Sequence, residues 1–186
     1  MIIGRRSVFA IESDITKAYS RPSLMALGFF VIYIRGFCYG VRRPEATMLA
    51  CSFDTVKERI DAKRTRIAGL SDSFSAGDIA DAFRVAVYGA SPPSQLVISI
   101  SEVFEYTKCE FVWAPDGDAA FDDGSYVLQF NIGGRVRLIG FRCATSGLHD
   151  PASINEVWLD SEEFYSVLED WQGNFRAEWE RLPKSD

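Results

Sequence analysis

Few of the side chains that usually carry chemistry are present in this chain of 186 residues, and they are widely spaced. His149 is the single histidine, so a hydrolytic triad or a histidine-rich metal site would have to be built around it. It lies in Gly147-Leu148-His149-Asp150-Pro151, where glycine and proline punctuation predicts a surface loop with a solvated imidazole. The sequence holds no nucleophile elbow, glycine-rich phosphate loop or dinucleotide fingerprint. Cys38, Cys51, Cys109 and Cys143 form no C-x-x-C pair and mostly sit in apolar, strand-like stretches. They read as buried free thiols of a reduced, cytoplasmic protein.

The most distinctive polar segment runs from Asp116 to Ser125 and places Asp116, Asp118, Asp122 and Asp123 within eight residues. Carboxylates at this density suit a hard cation, which would make the chain a small metal-dependent hydrolase or nuclease. The calcium-loop pattern fails, because windows of twelve residues opened at Asp116 or Asp118 end on Val127 or Gln129 in place of a bidentate glutamate. The simplest reading is an acidic loop with Asp-Gly turns. Partner binding is the next and a cation site the last, so no metal or other cofactor is expected.

Charge distribution carries more information than any short motif. Residues 1–99 hold thirteen Lys/Arg and nine Asp/Glu, a net +4, and the remainder holds seven and seventeen, a net −10. The acidic loop, together with Glu162, Glu163, Glu169, Asp170 and Glu180 on the outside of a C-terminal helix, would steer a basic protein into contact if both lay on one side of the fold. The same charges on a helix face also serve simple solubility. Lys57, Arg59, Lys63, Arg64 and Arg66 form an opposing basic patch, which interspersed Glu58 and Asp61 reduce to an ion-paired helix surface. A net charge of −6 argues against nucleic acid as the partner.

These residues must be held by a fold, and 47% hydrophobic residues with fourteen Phe, seven Tyr and four Trp supply ample core for one domain spanning 1–186. Arg5-Arg6 resembles an export signal only superficially, since Glu12 and Asp14 interrupt the apolar run it would need, and the segment reads as a first strand. The longest apolar run, Leu24 to Ile34, is about half the roughly 20 residues of a membrane span. Leu27 to Ile34 is apolar on both alternating faces, as a strand covered on both sides would be. Arg35-Gly36 then turns it into a hairpin that sets Ile34 against Phe37, Ile32 against Tyr39 and Phe30 against Val41.

Met48 to Phe53 reads as a strand, followed by a helix from Asp54 to Arg64 with Asp54 as its cap. The periodicity of Ile79, Ala82, Phe83, Ala86 and Val87 predicts a helix over Asp78–Tyr88, stopped by Gly89 and Pro92-Pro93. Leu96 to Tyr106 fits strand and helix equally, and Phe111 to Trp113 a short strand. Tyr126–Ile132 and Arg135–Cys143 flank Gly133-Gly134 as a second hairpin, with Ile132 opposite Arg135, Phe130 opposite Arg137 and Leu128 opposite Ile139. A long amphipathic helix opens at Asp160, with Glu163 completing a capping-box pattern, and carries Phe164, Leu168, Trp171, Phe175, Trp179 and Leu182 on one stripe. The expected fold is α+β, an antiparallel sheet with two hairpins packed against about three helices.

Met1-Ile2-Ile3-Gly4, then Phe9-Ala10-Ile11-Glu12, then Gly28-Phe29-Phe30-Val31-Ile32-Tyr33-Ile34 with its short hairpin, resemble the immunity protein 42 family of bacterial polymorphic-toxin systems. Phe83-Arg84-Val85-Ala86-Val87-Tyr88-Gly89 is similar to the middle segment of that family, and the likeness is strongest over roughly the first ninety residues. The resemblance implies a cytoplasmic antidote that binds a cognate toxin domain, including toxins of contact-dependent inhibition systems, and has no active site of its own. Many delivered toxins are basic nucleases, which an acidic inhibitor would suit by analogy. The family lends no contact residues, so the expected partner-binding set rests on charge alone: Asp116, Asp118, Asp122, Asp123, Glu162, Glu163, Glu169 and Asp170. Neither nucleic acid nor membrane is expected as a partner.

Overall fold

The computed structural model describes residues 1–63, 74–89, 98, 112–113, 119–143 and 149–185. Phe9 to Ser13 is buried on both alternating faces, and this segment opens the long strand β2 (Phe9–Tyr19), preceded by β1 (Ile2–Arg5). β2 pairs antiparallel with β3 (Ala26–Ile34), with a register shift between Ile15 and Lys17. β3 in turn pairs with β4 (Phe37–Tyr39) and with β5 (Thr47–Met48).

The first hairpin has the expected register at Ile34–Phe37 and Ile32–Tyr39. Arg35 and Gly36 have φ of 50° and 89°, the positive values that a two-residue turn of this twist demands. Phe30 does not meet Val41, however. β4 ends at Tyr39, and the Val41 amide donates instead to the Ala120 carbonyl at 2.7 Å.

β3 is covered on both faces, as its sequence requires. Phe30, Ile32 and Ile34 enter the main core, whereas Phe29, Val31 and Tyr33 form a smaller cluster with Ala10 on the opposite face. Among the described residues no helix covers that second cluster. Arginine stems lie over it, with the guanidinium of Arg6 4.9 Å from the Tyr33 ring and that of Arg42 5.5 Å from the Phe29 ring.

The expected strand over Met48 to Phe53 is mostly helix. α1 runs Leu49–Asp61 with Met48 as its cap, and Asp54 is an exposed residue inside it. Leu49, Ala50, Phe53 and Val56 recur at helical spacing and bury together in the main core, so tertiary packing overrides the β-propensity of a short apolar run. α2 (Ala76–Tyr88) begins two residues earlier than expected, because Ser75 and Asp78 form a reciprocal capping box; Gly89 ends it.

β6 (Ser125–Ile132) and β7 (Arg135–Arg142) form the second hairpin with the three expected pairs. The sequence reading missed β8 (Asn155–Asp160), which adds to β7 and makes a separate three-stranded sheet. Val112 extends that sheet by one bridge to Leu128; Leu96 to Tyr106, apart from the buried Ile98, and Phe111 lie outside the described residues. α3 (Ser161–Arg181) follows at once, its start capped by the Asp160 carboxylate accepting from the Glu162 amide at 2.8 Å. The chain then returns as β9 (Lys184–Ser185), which joins β2 in parallel and makes the first sheet six-stranded.

The fold is therefore α+β with two sheets in place of one. The inner faces of both sheets share the main core with α1 and α3, while α2 packs on the far face of the second sheet. Two contacts tie the layers together, the first between the sheets and the second between helix and sheet. The Tyr39 hydroxyl donates to the carbonyls of Ser153 (2.7 Å) and Gly140 (3.2 Å) and accepts from Asn155 Nδ2 (2.9 Å). Its ring lies so close to Gly140 that a Cβ there would sit 2.4 Å from a ring carbon. Trp171 of α3 likewise donates from Nε1 to Ser13 Oγ of β2 at 2.9 Å, in the middle of an aromatic cluster with Phe30 and Phe175.

Candidate functional site

Most of the polar side chains buried among the described residues are engaged in structure. Glu12 points from β2 toward the arginine-covered face, where Arg6 Nη2 and Arg42 Nη2 each reach its carboxylate at 2.8 Å and the Tyr33 hydroxyl donates to it at 2.8 Å. The Arg42 bond is the main cause that holds the Glu12 pKa at about 2 against an ordinary 4.5, opposed by burial and assisted by Tyr33 and Arg6. Burial and the bond to Glu12 push the Tyr33 phenol up. A charged residue inside an apolar strand is the sequence signal for this cluster.

Arg59 is a second such residue. It belonged to the expected basic patch but is only 2% exposed, donating to Gln129 Oε1 at 2.9 Å and to the Val112 carbonyl, with its guanidinium 4.4 Å from the Trp113 ring centre. Lys57 pairs with Asp61 at 2.8 Å and Lys63 with Glu162 at 2.9 Å, while Arg64 and Arg66 lie outside the described residues. What remains of the patch is ion-paired. His149 departs from expectation as well: it bridges to Cys143, its side chain is only 11% exposed, and its Nδ1 lies 2.5 Å from Asp81 Oδ1 of α2. It ties the loop before β8 to the helix.

Asp116 and Asp118 fall outside the described residues, as does Cys109. Asp122 is exposed, and Asp123 accepts from the Ser125 amide at 3.1 Å and pairs with Arg142 at 3.2 Å. Among the described residues no group of three or more His, Cys, Asp or Glu side chains could hold a metal ion. No helix among them is long and apolar enough to cross a membrane.

The acidic residues divide into two groups. Asp122 and Asp123 precede the end of the second sheet where Ser125 pairs with Arg142, whereas Glu162 and Glu163 follow the opposite end, where Arg135 pairs with Asp160. Seven strand residues separate the two ends, about 23 Å at ~3.3 Å per residue. The described part of the loop therefore does not share an end with the start of α3. On the helix itself Glu162, Glu163, Glu169, Asp170 and Glu180 are all exposed.

Glu162 and Glu163 sit in the first turn, where they favour the helix dipole, and they pair with Lys63 (2.9 Å) and Arg5 (3.0 Å). Glu169 and Asp170, two turns further on, make no ion pair among the described residues. Like Glu180, they are uncompensated charges of the helix among the described residues.

These features define an α+β protein whose buried polar groups brace its layers and whose last helix turns carboxylates outward. The chain belongs to the family described as Immunity protein 42, which matches residues 1–174 and so extends well past the segments that first carried the resemblance. The crystal structure of CdiI from Burkholderia dolosa AUO158 has a similar fold, with a TM-score of 0.62 and 18% identity over 94% of this chain and 99% of that one. No curated protein sequence matches the chain.

Proposed function

We propose that this chain is a cytoplasmic immunity protein that binds a cognate toxin domain and blocks it by covering its working surface, without chemistry of its own. The observation that carries the reading is membership of an immunity family across residues 1–174; a CdiI fold supports it. The outward carboxylates of α3, with Glu169 and Asp170 foremost and Glu162 and Glu163 beside them, steer a basic toxin domain such as a nuclease into contact. Asp116, Asp118, Asp122 and Asp123 belong to the same proposal as a second acidic contact.

The test is co-expression of this chain with the toxin domain encoded beside it. Growth restored by the chain, with a complex recovered on purification, supports the reading; continued killing refutes it. Reversing Glu169 and Asp170 to lysine slows association several-fold and flattens its decline with salt, while the melting curve stays unchanged. Association that ignores both salt and charge reversal would remove the electrostatic part.

A further inference from the structure

Beside the start of α3, the turn between β1 and β2 leaves a small open cleft. Val8, Phe9, Leu159 and Val167 form its apolar walls, and it has about 50 Å³ of room. A water needs roughly 10–15 Å³ by the same measure, so the cleft has room for three or four waters or for the end of one aliphatic side chain. Arg5 and Glu163 also line it and pair with each other at 3.0 Å, with 70% and 50% of their side chains exposed. An ion pair so exposed contributes little and exchanges easily.

Charge marks the occupant. Val167 is four residues after Glu163 and three before Asp170, so the two carboxylates bracket the apolar wall on one flank of the helix. Among the described residues Glu163 pairs only with the displaceable Arg5, and Asp170 has no ion pair. An apolar hole between two carboxylates fits a protein surface on which an aliphatic side chain stands next to lysine or arginine. Buried anchors of this type dominate binding when a charged rim surrounds them.

Resting on the immunity reading above, we infer that the toxin domain anchors here: it inserts one aliphatic side chain between Val8 and Val167, and a neighbouring cation takes Glu163 from Arg5. The β1–β2 turn and the first three turns of α3 then form the centre of the interface. Arg5 acts as a placeholder that keeps Glu163 paired until the partner arrives.

Affinity for the adjacently encoded toxin domain, measured by calorimetry with the intact chain, tests this. Val167→Phe fills the cleft and weakens binding at least tenfold, and Val8→Phe does the same from the opposite wall. Glu163→Gln, an exposed change that leaves the fold intact, weakens binding several-fold. Arg5→Ala removes the competitor for Glu163 and binds more tightly than the unaltered chain, which a merely structural role for the pair does not produce. Unchanged affinity in Glu163→Gln, or in either cleft-filling variant with an unaltered melting curve, overturns the inference. Failure of the unaltered chain to bind or protect instead overturns the immunity reading.

Discussion

Replacing Glu12 by glutamine removes one negative charge from between Arg6 and Arg42 while keeping the shape of the side chain and a partner for the Tyr33 hydroxyl. The Glu12 pKa falls from 4.5 to about 2 on folding, so its ionised form stabilises the native state above pH 4.5, and that contribution is lost as pH drops toward 2. At about 1.4 kcal/mol per pH unit the ceiling is about 3.5 kcal/mol; half-exposed arginines screened by solvent bring it nearer ~2 kcal/mol. For a chain of this length each kcal/mol moves the melting temperature by about 2–4 °C, so Glu12→Gln should melt about 4–8 °C below the unaltered protein at pH 7. Melts followed by circular dichroism from pH 7 to pH 3 should show the gap shrinking to about half or less at the acid end. A gap that stays constant over that range, or a melting temperature unchanged at pH 7, would refute the assignment of this stability to an ionised Glu12.

Gly140→Ala puts a methyl group 2.4 Å from the Tyr39 ring, whose hydroxyl is anchored to the Ser153 and Gly140 carbonyls across the sheet interface; a loss of about 1–3 kcal/mol in urea unfolding is expected. Gly173 lies inside α3, is exposed and has open space around its Cα, so Gly173→Ala should stabilise by about 1 kcal/mol through helix propensity, seen as a rise in melting temperature of a few degrees. Trp171→Ala removes the indole that joins α3 to Ser13 and to the Phe30 and Phe175 rings, and should cost about 3–5 kcal/mol in the same unfolding measurement.

The sequence alone determined what depends on near neighbours in the chain. The two hairpins, their registers around Arg35-Gly36 and Gly133-Gly134, α2 with its glycine stop, and the start of α3 at Asp160 all follow from turn chemistry and periodicity that act within a few residues. The acidic bias of the second half and the immunity family resemblance were equally legible, because both are properties of residue order and composition.

Only the tertiary structure decided which distant segments meet. Leu49 to Phe53 satisfies strand and helix alike until α3 and β3 provide a core for one helical face. β8 pairs with β7 across a loop, and a separate second sheet results. His149 acquires Asp81 from a helix 68 residues away, and Arg59 acquires Gln129 from 70. The acidic residues near Asp122 and Glu162 separate because the second sheet spans the distance between them. Local rules fix the sign of a charge and the period of a segment, whereas burial and the distance between charges are set by contacts that close only when the whole chain packs.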